Sequence, residues 1–335
     1  MSPFRRTISW ITVDGTCIAR FPEEILHQIL RLCVSAPPTP PARPSWHVRQ
    51  QSCNRSRTAA LLVCKSWLRI ATPAFYKTVL LQSEEQAIML SSTLVANPPL
   101  GRYVRSLVIL GVWSALGDVV KLCPGVVSLD LTLGGPRESV AICQMKEIAI
   151  VISGLQSLDI RNFALRKLPN VYLTQHRPRL IISYLSKIIP KWQRLENVHV
   201  AFPLSTGLNV ILPLATALAC STSLRILRTQ LPVVWSPVLL KISENPYLEK
   251  IELWNLFLTD GEAMVGTGLF LKEARRHQRL ADLIKAGTRI IRARAHTVGG
   301  FEQAMVVPIR TEVNALTSAT IASSPPLFHH LSLHV

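Results

Sequence analysis

The chain has 335 residues, of which 48% are apolar and 17% are charged, and its mean hydropathy is +0.28. A chain this apolar buries enough surface to offset its ordering entropy, which excludes disorder as the dominant state. Its seven cysteines form neither a C-x-x-C pair nor a dense cluster. They argue against a disulfide-built secreted scaffold and favour a reducing compartment, so we expect a cytoplasmic or nuclear location.

Two segments bear on whether the chain enters a membrane. The apolar stretch within the first twenty residues is interrupted by Thr12, Asp14 and Gly15, which argues against a secretory signal peptide. The longest uncharged run, residues 201–224, contains two prolines and several polar residues. We interpret it as a buried helix of a soluble protein, so no transmembrane segment is expected.

The charge is strongly basic. The net charge is +17, from 37 Lys and Arg against 20 Asp and Glu. Eight basic residues and no acidic residue lie between Ile25 and Ser83, a balance that suits nucleic acid or an acidic partner. Because the basic residues are spread along the chain without a recognisable nucleic-acid motif, we disfavour nucleic acid and interpret them as a solvated basic surface.

The first predicted element is a helix over residues 21–33. Pro22 suits its first position, and Glu23 and Glu24 suit the positive end of the helix dipole. Its apolar face repeats at helical spacing and consists of Ile25, Leu26, Ile29, Leu30 and Cys33.

Residues 35–58 follow, rich in Pro, Arg and Ser, and they predict an exposed loop. Their PPTPP core is either an extended spacer, which we favour, or a polyproline ligand. Thr58 then suits the N-cap of a second helix over residues 59–71, which Pro73 is expected to end.

From residue 104 a short apolar pattern recurs, with apolar residues at its first, fourth and sixth places. The six occurrences are Val104/Leu107/Ile109, Val126/Leu129/Leu131, Leu155/Leu158/Ile160, Leu195/Val198/Val200, Leu224/Leu227 with Thr229 at the sixth place, and Leu248/Ile251/Leu253. Helix-like stretches lie between them, at residues 113–123, 139–153, 180–192, 207–220 and 236–244. A strand followed by a helix, repeated at this period, predicts a solenoid in which each unit buries its apolar face against the next.

The repeats resemble leucine-rich repeats, with one departure. The ninth place, where that family carries Asn or Cys, holds Val112, Gly134, Phe163, Pro203, Pro232 and Leu256. We therefore expect an irregular solenoid whose bends are satisfied in other ways. Residues 272–294 form a basic amphipathic segment that suits a cap for the open end of the solenoid better than a membrane-surface helix.

Motifs of catalysis are not found in the sequence. There is no phosphate-binding G-x-x-x-x-G-K-[ST], no G-x-S-x-G and no H-E-x-x-H. His330 and His334 have the spacing of metal ligands on a helix, although we favour a tail that merely contains histidine. Asp130 and Asp159 occupy the fifth place of successive patterns, where they either contact a ligand or are solvated. We predict no catalytic, cofactor-binding or metal-binding residues, and we do not expect an enzyme.

The first eighty residues resemble an F-box. The matching residues are Phe21-Pro22-Glu23-Glu24-Ile25-Leu26, then Ile29-Leu30, then Leu61-Leu62-Val63-Cys64-Lys65-Ser66-Trp67 with Ile70 and Ala71. An F-box followed by leucine-rich-like repeats is similar to the large F-box families of mushroom-forming fungi (basidiomycetes). Two features depart from the family: Phe21 stands where leucine is usual, and the loop between the first two helices is long.

The resemblance implies a function. F-box proteins are non-catalytic substrate receptors of SCF-type ubiquitin ligases, in which the F-box docks on a Skp-type adaptor that joins it to a cullin. By this resemblance the adaptor-binding residues are Phe21, Pro22, Ile25, Leu26, Ile29, Val63, Cys64 and Trp67. The repeats would then hold the protein to be ubiquitylated. The alternatives are an interaction scaffold of the same fold outside any ligase and a basic binder of nucleic acid or membrane surfaces.

The expected organisation is an α/β chain in five parts. They are an N-terminal tail (1–19), an F-box unit (20–80) with its loop (35–58), a leucine-rich-repeat-like strand/helix solenoid (81–258), a basic C-terminal capping segment (259–312) and a tail (313–335).

Overall fold

The computed structural model describes residues 22–34, 57–134, 141–204, 208–254, 262–265 and 269–292. These residues belong to one compact unit that spans Met1–Ala293. The fold is mixed α/β, as the alternating pattern predicts. The predicted tails, most of the predicted 35–58 loop, Phe21, and His330 and His334 lie outside the described residues.

Three helices begin the described chain: α1 (Glu23–Val34), α2 (residues 57–61) and α3 (Lys65–Tyr76). One apolar cluster joins them, formed by Leu26, Leu30, Val34, Ala60, Ile70, Ala71 and Ala74. The Nε of Arg57 donates a 2.6 Å hydrogen bond to the carbonyl of Val34. This bond satisfies a carbonyl that the end of α1 leaves without a helical partner.

The predicted second helix over residues 59–71 is wrong in two respects. The chain leaves helical geometry between residue 61 and Lys65, and α3 continues through Pro73 to Tyr76. Proline removes one helical hydrogen bond and disfavours helix before it. Here burial of Ala71 and Ala74 on both sides of Pro73 holds the helix together.

Seven strands form one parallel sheet in the order of the chain. They are β1 (Thr78–Leu81), β2 (Ser106–Ile109), β3 (Ser128–Leu133), β4 (Asn162–Lys167), β5 (Asn197–Val200), β6 (Ile226–Gln230) and β7 (Lys250–Trp254). A separate parallel pair joins β8 (Glu262–Val265) to β9 (Arg289–Arg292). Strand β1 was not predicted, and it spans the expected boundary at residue 80.

Helices connect the strands. They are α4 (Glu84–Ala96), α5 (Leu116–Leu122), α6 (Ala141–Gln156), α7 (His176–Ile188), α8 (Leu208–Ala219) and α9 (Pro237–Ser243), with 3₁₀ turns at Pro98–Tyr103 and Ile189–Lys191. After β7 come α10 (Leu269–Ala274) and α11 (Gln278–Gly287). Helices α4 to α9 each pack against the next in the chain. The helix-like stretches of the sequence therefore correspond to real helices.

Alternate strand residues form the main core. Leu107, Leu129, Val198, Leu227 and Ile251 from the predicted patterns are each at most 2% exposed and belong to one apolar cluster with the helices. Side chains at alternate positions of a strand point to opposite faces. The apolar face of the sheet is therefore the face on which the helices pack.

The third predicted strand is misplaced. Strand β4 begins at Asn162, so the inward-facing residues are Phe163 and Leu165, whereas Leu155 lies within α6. Register confirms the shift, because Phe163 pairs with Leu129 and Val198. All of Leu155, Leu158 and Ile160 are buried. Apolar spacing alone therefore could not distinguish the end of the helix from the start of the strand.

The free edge of β7 is covered by Thr288, which follows α11. Its hydroxyl accepts a 2.8 Å hydrogen bond from the Leu253 N–H and donates one of 3.0 Å to the Ile251 carbonyl. Gly287 permits this approach, since a Cβ there would lie 2.4 Å from the Ile251 oxygen. One side chain thus satisfies backbone groups that a further strand would otherwise pair.

Thr288→Val should destabilise the protein by about 1–3 kcal/mol, because it leaves a buried N–H and a buried carbonyl unpaired at constant side-chain shape. Urea denaturation measures the difference in the free energy of unfolding. Thr216→Val is the matched control, since the Thr216 hydroxyl is exposed and bonds within α8. Equal effects of the two substitutions would contradict the assigned role of Thr288.

Among the described residues, no helix is long and apolar enough to span a membrane.

Candidate functional site

Helix α1 carries two apolar stripes, and only one of them is buried. Leu26, Leu30 and Val34 pack into the helical core. Ile25 and Ile29 are each 43% exposed, and Leu32 is 82% exposed. The second stripe, Ile25, Ile29 and Leu32, follows the i, i+4, i+7 spacing of one helix face. Together they form an exposed apolar stripe on one side of α1, a feature that is common at interaction sites.

The turn between α2 and α3 extends the exposed apolar surface. Leu62 is 81% exposed and Val63 is 52% exposed. Cys64 follows as the N-cap of α3, and its Sγ accepts from the Trp67 N–H at 3.5 Å. The predicted helix over residues 59–71 would have placed Cys64 inside a helix, whereas the chain turns there and leaves the thiol exposed.

The predicted adaptor-binding residues divide by environment. Pro22, Ile25, Ile29, Val63 and Cys64 are exposed. In contrast, Leu26 is 8% exposed within the helical core, and Trp67 packs partly buried against that core. Leu26 and Trp67 therefore contribute to the packing of α1 on α3, whatever else they contact.

A polar groove of about 370 Å³ lies on the other face of the sheet. Its central row follows the strand register through Val108, Asp130, Ala164, His199, Arg228 and Glu252. Arg166 lines it from the next outward-facing position on β4. We call this surface, defined by Asp130, Ala164, Arg166, His199, Arg228 and Glu252, the polar groove.

Ion pairs position the charged side chains of the polar groove. The Nε of Arg166 donates to both carboxylate oxygens of Asp130 at 2.8 Å, and Asp130 is only 7% exposed. Near the other end, Glu252 lies 3.6 Å from Arg228 and 2.7 Å from Lys250. Paired, partly buried guanidinium groups are held in fixed directions, which suits recognition more than stability.

His199 lies at the centre of the polar groove. Its ring packs edge-on against Trp254, with centroids 5.9 Å apart. Burial, together with the positive charges of Arg166 and Arg228, lowers the pKa of His199 to about 4. His199 is therefore neutral near pH 7.

Three buried polar atoms on this face have no hydrogen-bond partner in the described part of the chain: Thr132 Oγ1, His199 Nε2 and Trp254 Nε1. Each such atom costs about 1–3 kcal/mol of stability. They lie on β3, β5 and β7 of the same face, where a polar ligand could satisfy them.

Sequence reasoning found Asp130 but not the rest of the polar groove. Asp159, which was grouped with Asp130, lies outside the strands and is exposed, with its carboxylate 3.2 Å from Arg194. The error follows from the misplaced third strand. With the strand started at Asn162, the fifth places would have read Asp130, Ala164, His199, Arg228 and Glu252, which is the central row.

Within the described ranges, no group of three or more His, Cys, Asp or Glu side chains is placed to hold a metal ion. The sequence matches no model of a known protein family and no curated protein.

His199 should make the protein less stable in mild acid. Its folded pKa is depressed, so below its unfolded pKa of about 6.5 the unfolded chain binds a proton that the folded chain does not. Stability is therefore full above that value and falls as the pH drops toward 4, by up to about 3 kcal/mol.

His199→Phe, which keeps an aromatic ring against Trp254, should remove this part of the pH dependence. Urea denaturation at about pH 7 and about pH 4.5 measures it for both proteins. If wild type and variant lose the same free energy of unfolding between the two pH values, His199 is not the source of the pH dependence.

Proposed function

We propose that this chain is a non-catalytic substrate-recognition subunit of an SCF-type ubiquitin ligase. Helices α1–α3 would form the F-box unit and dock on a Skp-type adaptor, which in turn joins a cullin. The strand–helix region would hold the protein to be ubiquitylated. The chemistry would then be that of other subunits, and this chain would supply proximity by raising the effective concentration of a substrate lysine near ubiquitin.

The observation that carries the proposal is the second apolar stripe of α1. Ile25 and Ile29 belong to the F-box-like motif, yet the helical core does not need them. Leu62 and Val63 add exposed apolar area from the turn before α3. A motif that retains large apolar side chains on a solvent-facing surface supports a docking role, because folding alone would permit polar residues there.

The strand–helix region supports the leucine-rich-repeat-like part of the proposal. Strand order follows chain order, all neighbouring strands are parallel, and helices α4 to α9 pack in succession. Nearest-neighbour packing of this kind is typical of solenoids. The missing consensus asparagines have a partial substitute in buried Asn245, whose Nδ2 donates to the carbonyls of Leu218 and Ser221 at 2.8 and 2.7 Å.

The test is co-purification of the full chain with a fungal Skp-type adaptor. Ile29→Asp and Val63→Asp place a charge on the exposed apolar surface and should each weaken the complex at least about tenfold, because an unpaired carboxylate would be buried on docking. Leu26→Asp is unsuitable, because it would unfold the helical core.

Val95→Asp serves as the matched control. Val95 is 64% exposed on α4, which packs against β1 and α5, and its substitution should leave adaptor binding unchanged. Circular dichroism verifies that each variant is folded. Folded wild-type protein that forms no complex would refute the receptor function and favour the scaffold alternative, whereas binding lost equally in all three variants would refute the assigned surface.

A further inference from the structure

The polar groove has the dimensions of an extended peptide. Its lining runs from Ser106 on β2 to Glu252 on β7. Strands in a sheet lie about 4.8 Å apart, so six of them span roughly 24 Å. An extended chain of about seven residues covers the same distance. A segment lying across the strands would thus contact one row of side chains along its whole length.

Ala164 opens the centre of the groove. In the central row it stands between Asp130 on β3 and His199 on β5. Its methyl group is much smaller than either neighbour, and it leaves a gap between them that a ligand side chain can enter. The floor of this gap is firm, because the adjacent Phe163 and Leu165 are buried on the other face.

The gap is bordered by positive charge. Arg166 uses its Nε for Asp130, and its two terminal nitrogens make no hydrogen bond within the described residues. Arg228 adjoins His199 from β6. The charges of both arginines lower the pKa of the His199 ring, so both guanidinium groups lie close enough to act on a ligand group seated beside that ring. A carboxylate complements such a position better than an amide does.

We infer that the polar groove binds an extended acidic segment of a partner protein, with a Glu or Asp side chain seated over Ala164 beside Arg166 and His199. The inference rests on the proposed function in one respect: it names the class of substrate segment that the receptor would hold. The binding itself requires no adaptor.

The experiment uses the full chain without adaptor. The probes are fluorescein-labelled eight-residue peptides with a central Glu and varied flanking residues, each paired with a peptide in which Gln replaces that Glu. Fluorescence anisotropy measures binding at low and at physiological salt. We expect members of the Glu set to bind saturably and their Gln counterparts at least about tenfold more weakly, because only the carboxylate forms a charge-assisted hydrogen bond.

Two variants test the site. Arg166→Gln removes the guanidinium, and Ala164→Ile fills the gap without changing any charge; each should weaken Glu-peptide binding at least about tenfold. Arg166→Gln removes the partner of buried Asp130 and could unfold the protein. Ala164→Ile leaves that ion pair in place and tests the site independently. Arg161→Gln is the matched charge control. Arg161 lies just before β4 and pairs on the surface with Glu196 at 2.8 Å.

The outcomes are decisive in either direction. Binding that falls in Arg166→Gln and Ala164→Ile but stays within about twofold in Arg161→Gln supports the groove site. Equal loss in Arg161→Gln would show attraction to the overall positive charge and overturn the site, as would equal binding of the Glu and Gln sets. Because adaptor binding is measured separately with the α1 and turn variants, failure of the groove site and failure of the proposed function give different results.

Discussion

In the described part of the chain, each strand of the seven-stranded sheet pairs with its neighbours in sequence, and the connecting helices α4 to α9 pack in the same order. The sheet is parallel and follows chain order, so no strand is surrounded by elements distant in sequence. If this region is the solenoid proposed above, its stability is approximately a sum of contacts between neighbouring units. The two edge strands of the sheet, β1 and β7, each have a strand partner on one side only. Helix α3 packs against β1, whereas the Thr288 hydroxyl bonds the backbone of β7.

The same constraint produces two unlike faces. The helices take one side of the sheet, and there the strand side chains are mostly apolar, as at Leu129 and Val198, with buried Thr229 as an exception. The other side is released from core packing and carries the polar groove. Two buried polar groups on this side have partners. Asp130 pairs with Arg166 from the neighbouring strand, and the His199 ring packs against Trp254.

Much of this organisation follows from sequence periodicity. The inward residues of five strands were predicted, because period-two apolar spacing near a turn is a strong signal. The failures have physical causes. Ile160 is buried between the end of α6 and the start of β4. The third apolar pattern was therefore placed five residues too early, and Ala164 of the central row was missed. On α1 the apolar residues form two stripes, and spacing cannot show which stripe faces the core.

The bond between Arg57 and the Val34 carbonyl has a consequence for how this chain tolerates change. The bond joins the residues on either side of residues 35–56, and it holds the ends of that segment close together. The entropy of closing a loop grows only with the logarithm of its length. If residues 35–56 form the loop that the sequence predicts, a reporter domain could be inserted there while α1 and α3 keep their mutual packing.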